Sequence, residues 1–297
     1  MENIDDEFFQ RQRAYKEDHC WQYDIRINNL EEDLKLLPSD IDYTTLKIED
    51  FTFKALTSQK EHMLAGEFIR RHEWLGKLAL NTSHYFGCYY KDILAGVITM
   101  GVPNAFSKLL GDTTSELERL INRGACISWS PKCLASAFLM WCIKWMVTNT
   151  PYRIFTCYSD PQAKELGTIY QACNFYYLGN TFGATAKYVS PYSGKLVSDR
   201  VFRARSYYKR YAQDLGISWQ EDWSKGDKIF WEIIPPSIVE QLKTYGKEKQ
   251  ATAQVVYQLP KHKYCYILGT NKKETKNLRK QFLSKNKVYP YPKERGK

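Results

Sequence analysis

The sequence predicts an α/β protein, a mixed sheet flanked by helices with an extended basic C-terminal portion. Three observations carry this. Apolar runs of strand length alternate with stretches of helical period, the segment Arg153 to Gly179 reads as strand, helix and strand in succession, and positive charge gathers late in the chain. Residues 181–297 hold 24 Lys and Arg against 10 Asp and Glu, a net of +14, whereas residues 1–180 hold 19 against 23. Such asymmetry suits contact with a polyanion, although surface lysines also serve solubility alone.

At 297 residues and 43% hydrophobic content the chain can bury a large core. It divides by composition into an N-terminal appendage (1–45), a catalytic-type α/β domain (46–200) and a basic extension (201–297). No apolar run approaches the ~18 residues of a membrane span, and the acidic start MENIDDEFF is unlike a signal peptide, so the expectation is a cytoplasmic protein with no membrane partner. Eight cysteines include no CxxC pair and fall mostly in apolar segments, which indicates neither a disulfide framework nor a zinc site.

In chain order, the charged first 40 residues contain one short helical pattern, NNLEEDLKLL. FTFKALT, from Phe51, reads as a strand. Ser58 and Glu61 have capping-box spacing and open a helix that runs to about Trp74, with Gly76 as its stop. Arg70, Arg71, His72, Glu73 and Trp74 cluster at its end, placed either to face a substrate or, for the arginines, to meet the negative end of the helix. HYFGCYY and ILAGVITMG, separated by Lys91 and Asp92, suit an antiparallel hairpin. VPNAFSKLLGDTTSELERLINRG reads as a long loop fit for a lid, ACISWS as a central strand, and PKCLASAFLMWCIKWMV as a helix striped by Leu134, Phe138, Trp141 and Trp145.

Two junctions carry chemistry. At SWSPKCLAS a strand turns into a helix, which aims unpaired amides and the positive dipole end at a phosphate. Ser130, Lys132 and Ser136 are the candidate pyrophosphate contacts there, although no glycine-rich signature accompanies them and ordinary capping gives the same pattern. At YSDPQAKELGTIYQACNFYYLG, Asp160 and Pro161 predict a helix start, followed by an apolar stripe of Leu166, Ile169, Tyr170 and Cys173. Gly167 inside that helix implies a close approach, by a cofactor or by a neighbouring strand. Asp160 reads equally as a cap, and Tyr170 as a core tyrosine or as a general acid.

Beyond Gly179, ATAKYVS and LVSDRVF around PYSGK suggest a hairpin that extends the sheet. In VFRARSYYKRY, the cations Arg203, Arg205, Lys209 and Arg210 alternate with Tyr207 and its neighbours, a mixture able to neutralise phosphates and stack on bases, or simply a solvated helix. Lys261 and Lys263 in LPKHKYCYILG repeat the theme, as does the tail. No helix-turn-helix or zinc finger is present.

The order strand, helix, hairpin, strand, phosphate-type loop, helix, strand, helix, strand resembles the GNAT acyltransferase fold. FIRRHEWLG, HYFGCYY with AGVITMG, ISWSPKCLAS and YSDPQAKELGTIYQACNFYYLG more closely resemble the Mom-like proteins of phages and mobile elements, which modify adenine in DNA. The resemblance implies Asp160 and Tyr170 as catalytic residues. It implies His72 more weakly, because Glu73 stands where that family tends to carry tyrosine. It further implies DNA as partner, acetyl-CoA or another acyl donor as cofactor, an involvement of iron, and an acyl-type (carbamoylmethyl) modification of the adenine exocyclic amine. SPKCLAS in place of the glycine-rich GNAT loop leaves the donor open. The alternatives are an acetyl-CoA-dependent N-acetyltransferase of a protein or small amine, and a GNAT-shaped nucleic-acid-binding protein without activity.

Overall fold

The computed structural model describes residues 20–181 and 186–293. The elements are α1 (Trp21–Leu34), β1 (Phe51–Leu56), α2 (Gln59–His72), β2 (Thr82–Tyr90), β3 (Ile93–Gly101), β4 (Glu118–Cys126), α3 (Leu134–Asn149), β5 (Ile154–Ser159), α4 (Thr168–Ala172) and β6 (Tyr176–Asn180). Next come β7 (Ala186–Val189), β8 (Leu196–Val197), α5 (Arg205–Asp214), β9 (Ser224–Lys225), β10 (Lys228–Ile229), α6 (Pro236–Thr252) and β11 (Val255–Tyr257), and finally β12 (His262–Ile267) and α7 (Lys272–Lys285). No helix among the described residues is long and apolar enough to cross a membrane.

The main sheet has seven strands in the order β1-β2-β3-β4-β5-β12-β6. Only β4 and β5 run parallel, and their pairing covers Glu118↔Ile154 to Leu120↔Thr156. Beyond that register each strand pairs only with its outer neighbour, so the sheet splays between Ile121–Cys126 and Cys157–Ser159. The sheet is therefore mixed, and the splay leaves a gap beside the end of β5. The expected capping box opens α2, with the Ser58 side chain accepting from the Glu61 N–H and Glu61 accepting from the Ser58 N–H. The β2–β3 hairpin closes at Tyr90↔Ile93 over Lys91, which takes φ +49° as a two-residue turn requires. Tyr85 stacks on His62 of α2 and Phe86 meets Trp141 and Trp145 of α3. Successive strand residues face opposite ways, so α2 and α3 cover opposite faces of the sheet.

Four expectations are corrected. Residues Glu118–Gly124, expected as loop, form β4 together with Ala125 and Cys126, while ISWS follows it as a turn. Charges hid this strand, and they are satisfied in place. Buried Glu118 accepts from Thr156 Oγ1 (2.8 Å) and the Ser107 N–H (2.7 Å), and Arg119 lies over the Tyr152 ring. Residues 20–34 are no appendage, because α1 sends the fully buried Asp33 into the centre of the unit. The helix expected from Asp160 is broken into a 3-10 turn (Pro161–Ala163) and the five-residue α4, since Lys164 and Gly167 both take left-handed conformations. The hairpin at 186–197 does not extend the main sheet but joins β11 in a three-stranded sheet of its own.

The division of the chain also differs from the one drawn by composition. Of the described residues, 20–181 and 261–293 form one compact unit and 186–260 a second. The second unit is therefore an insertion between β6 and β12. Its core is Phe202, Tyr207, Tyr208, Tyr211, Ala212 and Leu242, gathered between α5 and α6. Tyr207, expected to face nucleic acid, is buried in that core with its hydroxyl bonded to Ser190. Tyrosines at i, i+1 and i+4 of an amphipathic helix make a buried face as readily as a stacking platform.

Candidate active site

At the splayed end of β4 and β5, side chains from four separate parts of the first unit converge. Asp160 ends β5. Its Oδ1 accepts from the Gln162 N–H (3.0 Å), as a cap does, and its Oδ2 is 2.9 Å from Lys261 Nζ. The broken helix turns Glu165 inward, where Oε1 accepts from Trp74 Nε1–H (3.1 Å) and Oε2 from the Asp160 N–H (3.2 Å). Glu73, which follows the last residue of α2, is buried and accepts from the Gly76 N–H (2.9 Å). Trp74 is held from outside by α1, edge-on to Trp21 at 5.3 Å, with Gln22 accepting its backbone N–H.

Two carboxyl groups in this cluster titrate near neutrality. Burial pushes Glu73 up to about 7, against the charges of Arg123 and Lys261 and the Gly76 and Leu75 amides. Burial also raises Glu165 to about 7, resisted by the Asp160 amide and reinforced by the charges of Glu73 and Asp160. Tyr170 lies half-buried on α4, its ring against Phe175 and Tyr264 and its hydroxyl within hydrogen-bond reach of the Cys157 thiol. Burial, then the neighbouring Cys157 and Glu165, hold its pKa well above the ordinary phenol value, so it keeps its proton at pH 7. His262, the first residue of β12, places Nδ1 2.8 Å from the Tyr177 hydroxyl, and burial lowers its pKa against the pull of Asp160.

The structure thus brings Asp160 and Tyr170 to one cluster and adds Glu73, Glu165, Arg123 and Lys261. His72 does not join it. Its Nδ1 faces the Phe68 carbonyl and its Nε2 the Asp33 carboxylate, both at 3.1 Å, and its ring stacks on Phe68. Asp33 also accepts from Arg71 Nη2 (2.7 Å) and the Ser128 N–H (3.0 Å), which ties α1 and α2 to the loop before α3. Nothing local distinguishes Glu165 in sequence from a solvent-facing helical residue. Iron does not fit this arrangement. Both nitrogens of His72 are engaged, Asp160 is held by Lys261 and Gln162, and no group of three or more metal-ligating side chains gathers among the described residues.

A cavity of about 540 Å³ opens at the N-terminus of α3. Ser130 and Lys132 line it, together with Arg26, Lys47 and Ser128. Arg26 shapes the loop by donating to the Ser128 carbonyl (2.9 Å) and the Ser130 carbonyl (2.6 Å). Ser128 turns its side chain to the Asp33 carboxylate rather than into the cavity. A phosphorylated acyl donor fits this donor set. Ser136 instead donates to the Cys133 carbonyl (2.8 Å), and Gly167 lies against Tyr264; neither lines the cavity.

The nucleic-acid candidates divide between the units. Arg203 is paired with Asp199, Arg205 is half-exposed, Lys209 is exposed and Arg210 lies over the Tyr192 ring at 5.0 Å, all in the insertion. Lys261 faces Asp160, and Lys263 lies over the Tyr158 ring at 5.9 Å, its pKa lowered by burial.

No curated protein matches the sequence. Among solved structures, a probable acetyltransferase from Staphylococcus epidermidis ATCC 12228 is similar at 10% identity and TM-score 0.33, over 49% of this chain and 93% of its own. An N-acetyltransferase from Staphylococcus aureus Mu50 is similar at 16% identity and TM-score 0.28, over 54% and 81%. The Mom protein family profile matches residues 51–293, from β1 through the insertion to the tail beyond α7. By that match the chain belongs to the Mom protein family.

Proposed function

We propose that this chain is a DNA-modifying group transferase that places an acyl-derived group, in the Mom manner a carbamoylmethyl group, on the exocyclic amine of adenine. The observation that carries the reading is the carboxyl cluster of Glu73, Asp160 and Glu165 at the splay of the sheet in a chain of the Mom family.

An exocyclic amine must lose a proton as it forms its new bond. A carboxylate that titrates near 7 accepts that proton at neutral pH, and Glu165 is poised to do so because Trp74 and the Asp160 amide fix both its oxygens. Asp160, with Lys261, orients the amine. Tyr170 holds its proton and can donate it to the departing group. An acyl donor, when bound, supplies the activated group; Lys47, Lys132 and Ser130 would hold its phosphates in the α3 cavity. The base must leave the duplex stack, at a cost of a few kcal/mol.

The test is expression in cells, digestion of plasmid DNA to nucleosides and mass spectrometry. A new deoxyadenosine derivative is expected with the wild-type chain and is lost with Glu165→Gln. Unmodified DNA beside an acetylated protein or small amine would overturn this reading in favour of an N-acetyltransferase.

A further inference from the structure

The basic charge of the C-terminal third is unevenly shared between its two parts. The insertion, residues 182–260, carries 12 Lys and Arg against 8 Asp and Glu, whereas residues 261–297 carry 12 against 2. The excess therefore belongs to the returning segment, and half of it lies on α7. Lys272, Lys276 and Lys280 follow one another at i, i+4 and i+8, all exposed, a turn apart along one face. Like charges at this spacing repel and destabilise a helix. The one acid of α7, Glu274, does not relieve them, because it is held at 2.9 Å by Arg153 and accepts from the Thr270 N–H.

The three lysines line a groove of about 870 Å³ together with Arg279, Leu283 and Tyr176 of β6. Arg279 is fixed there by donating to the Ile267 carbonyl (3.2 Å) and lying over the Tyr266 ring. The groove is thus a preformed concave strip, cationic along the helix, in the same unit as the carboxyl cluster.

We propose that this groove is the phosphate-backbone contact for duplex DNA, with Lys272, Lys276 and Lys280 neutralising successive phosphates. The inference rests on the reading of DNA as substrate and names the surface that holds it. Phosphate contacts of this kind position the duplex without reading its bases.

The test is duplex affinity of the full chain, by fluorescence anisotropy, across a series of KCl concentrations. Each neutralised phosphate contributes about −0.9 to the slope of log affinity against log salt, so Lys272→Gln/Lys276→Gln/Lys280→Gln should flatten it by roughly 2.7. Lys276→Gln alone should flatten it by about 0.9. The effect should be equal on unrelated duplexes, with circular dichroism and thermal midpoint showing intact folding. Arg203→Gln/Arg205→Gln in the insertion serves as comparison and should change the slope less. A slope unaltered by the lysine variants, or altered only by the arginine pair, overturns the assignment to α7. The nucleoside analysis, which does not depend on this surface being right, then decides separately whether DNA is modified.

Discussion

Lys261 Nζ stands 2.9 Å from Asp160 Oδ2, so the first residue after the insertion is ion-paired to the residue that closes β5. Asp160 also caps the turn that follows, and the two roles separate by substitution. Asp160→Asn keeps an acceptor for the Gln162 amide, while Asp160→Ala removes it at about 1 kcal/mol. Both variants should lose transfer activity and only the alanine should lose stability. Urea titration beside the nucleoside assay checks this, and full activity per folded molecule in Asp160→Asn would reduce Asp160 to a cap.

Glu165→Gln should lower the transfer rate by about 10²- to 10⁴-fold, the range for removal of a general base. The base acts ionised, so wild-type activity should rise with pH through about 7, the value to which burial raises Glu165. A profile flat from pH 6 to about 8 would count against this role.

Glu73→Gln should stabilise the protein, but only at higher pH. Burial raises the folded carboxyl to about 7, above the ordinary glutamate value of 4.5. Its favourable, protonated contribution is complete below the unfolded value and is lost as pH rises through about 7, a loss of about 3 kcal/mol that glutamine does not suffer. Thermal midpoints of variant and wild type should coincide near pH 4.5, diverge as pH rises and differ most above about 7.

His72→Ala should destabilise without touching chemistry. Burial raises the Asp33 pKa, but hydrogen bonds from His72 and Ser128 outweigh it and hold the group ionised. Removing His72 leaves that buried charge short of a partner, at about 3 kcal/mol. Activity per folded molecule should be unchanged. Because the Asp33 pKa is lowered, its stabilising contribution is present above the unfolded value and is lost as pH falls through the folded one, so Asp33→Asn should blunt the acid sensitivity of the wild type.

Coenzyme A thioesters should raise the thermal midpoint if the α3 cavity holds a donor's phosphates. A ligand at a hundred times its dissociation constant stabilises by about 2.7 kcal/mol, and Lys132→Ala should reduce the shift. Absence of any shift with acetyl-CoA would point to a donor of different chemistry.

Much of the first unit was legible because its signals are local. The Ser58/Glu61 box, the Lys91 turn and the stripe of α3 each declare themselves within a few residues. Asp160 and Tyr170 were legible for the same reason, and the close approach expected at Gly167 is made by a strand. A Cβ there would lie 2.6 Å from Tyr264 of β12. What stayed hidden depends on distant partners. β4 carries charges that become acceptable only beside Thr156 and Tyr152, and Glu165 faces inward only because the chain breaks at Lys164. The neutral-range carboxyl pair needs residues 73 and 165 side by side, which no spacing announces.

The position of β12 between β5 and β6 has a consequence for the order in which the protein can be made. Until residue 267 has emerged during synthesis, β5 lacks its antiparallel neighbour, β6 has no strand to pair with, and Asp160 has no lysine. The insertion, a separate compact unit, can fold on the nascent chain before the older sheet around it is complete. The site is therefore completed only after the whole insertion has been made, and until then the β5 edge stays open to other strands, the interval in which a chaperone is most needed.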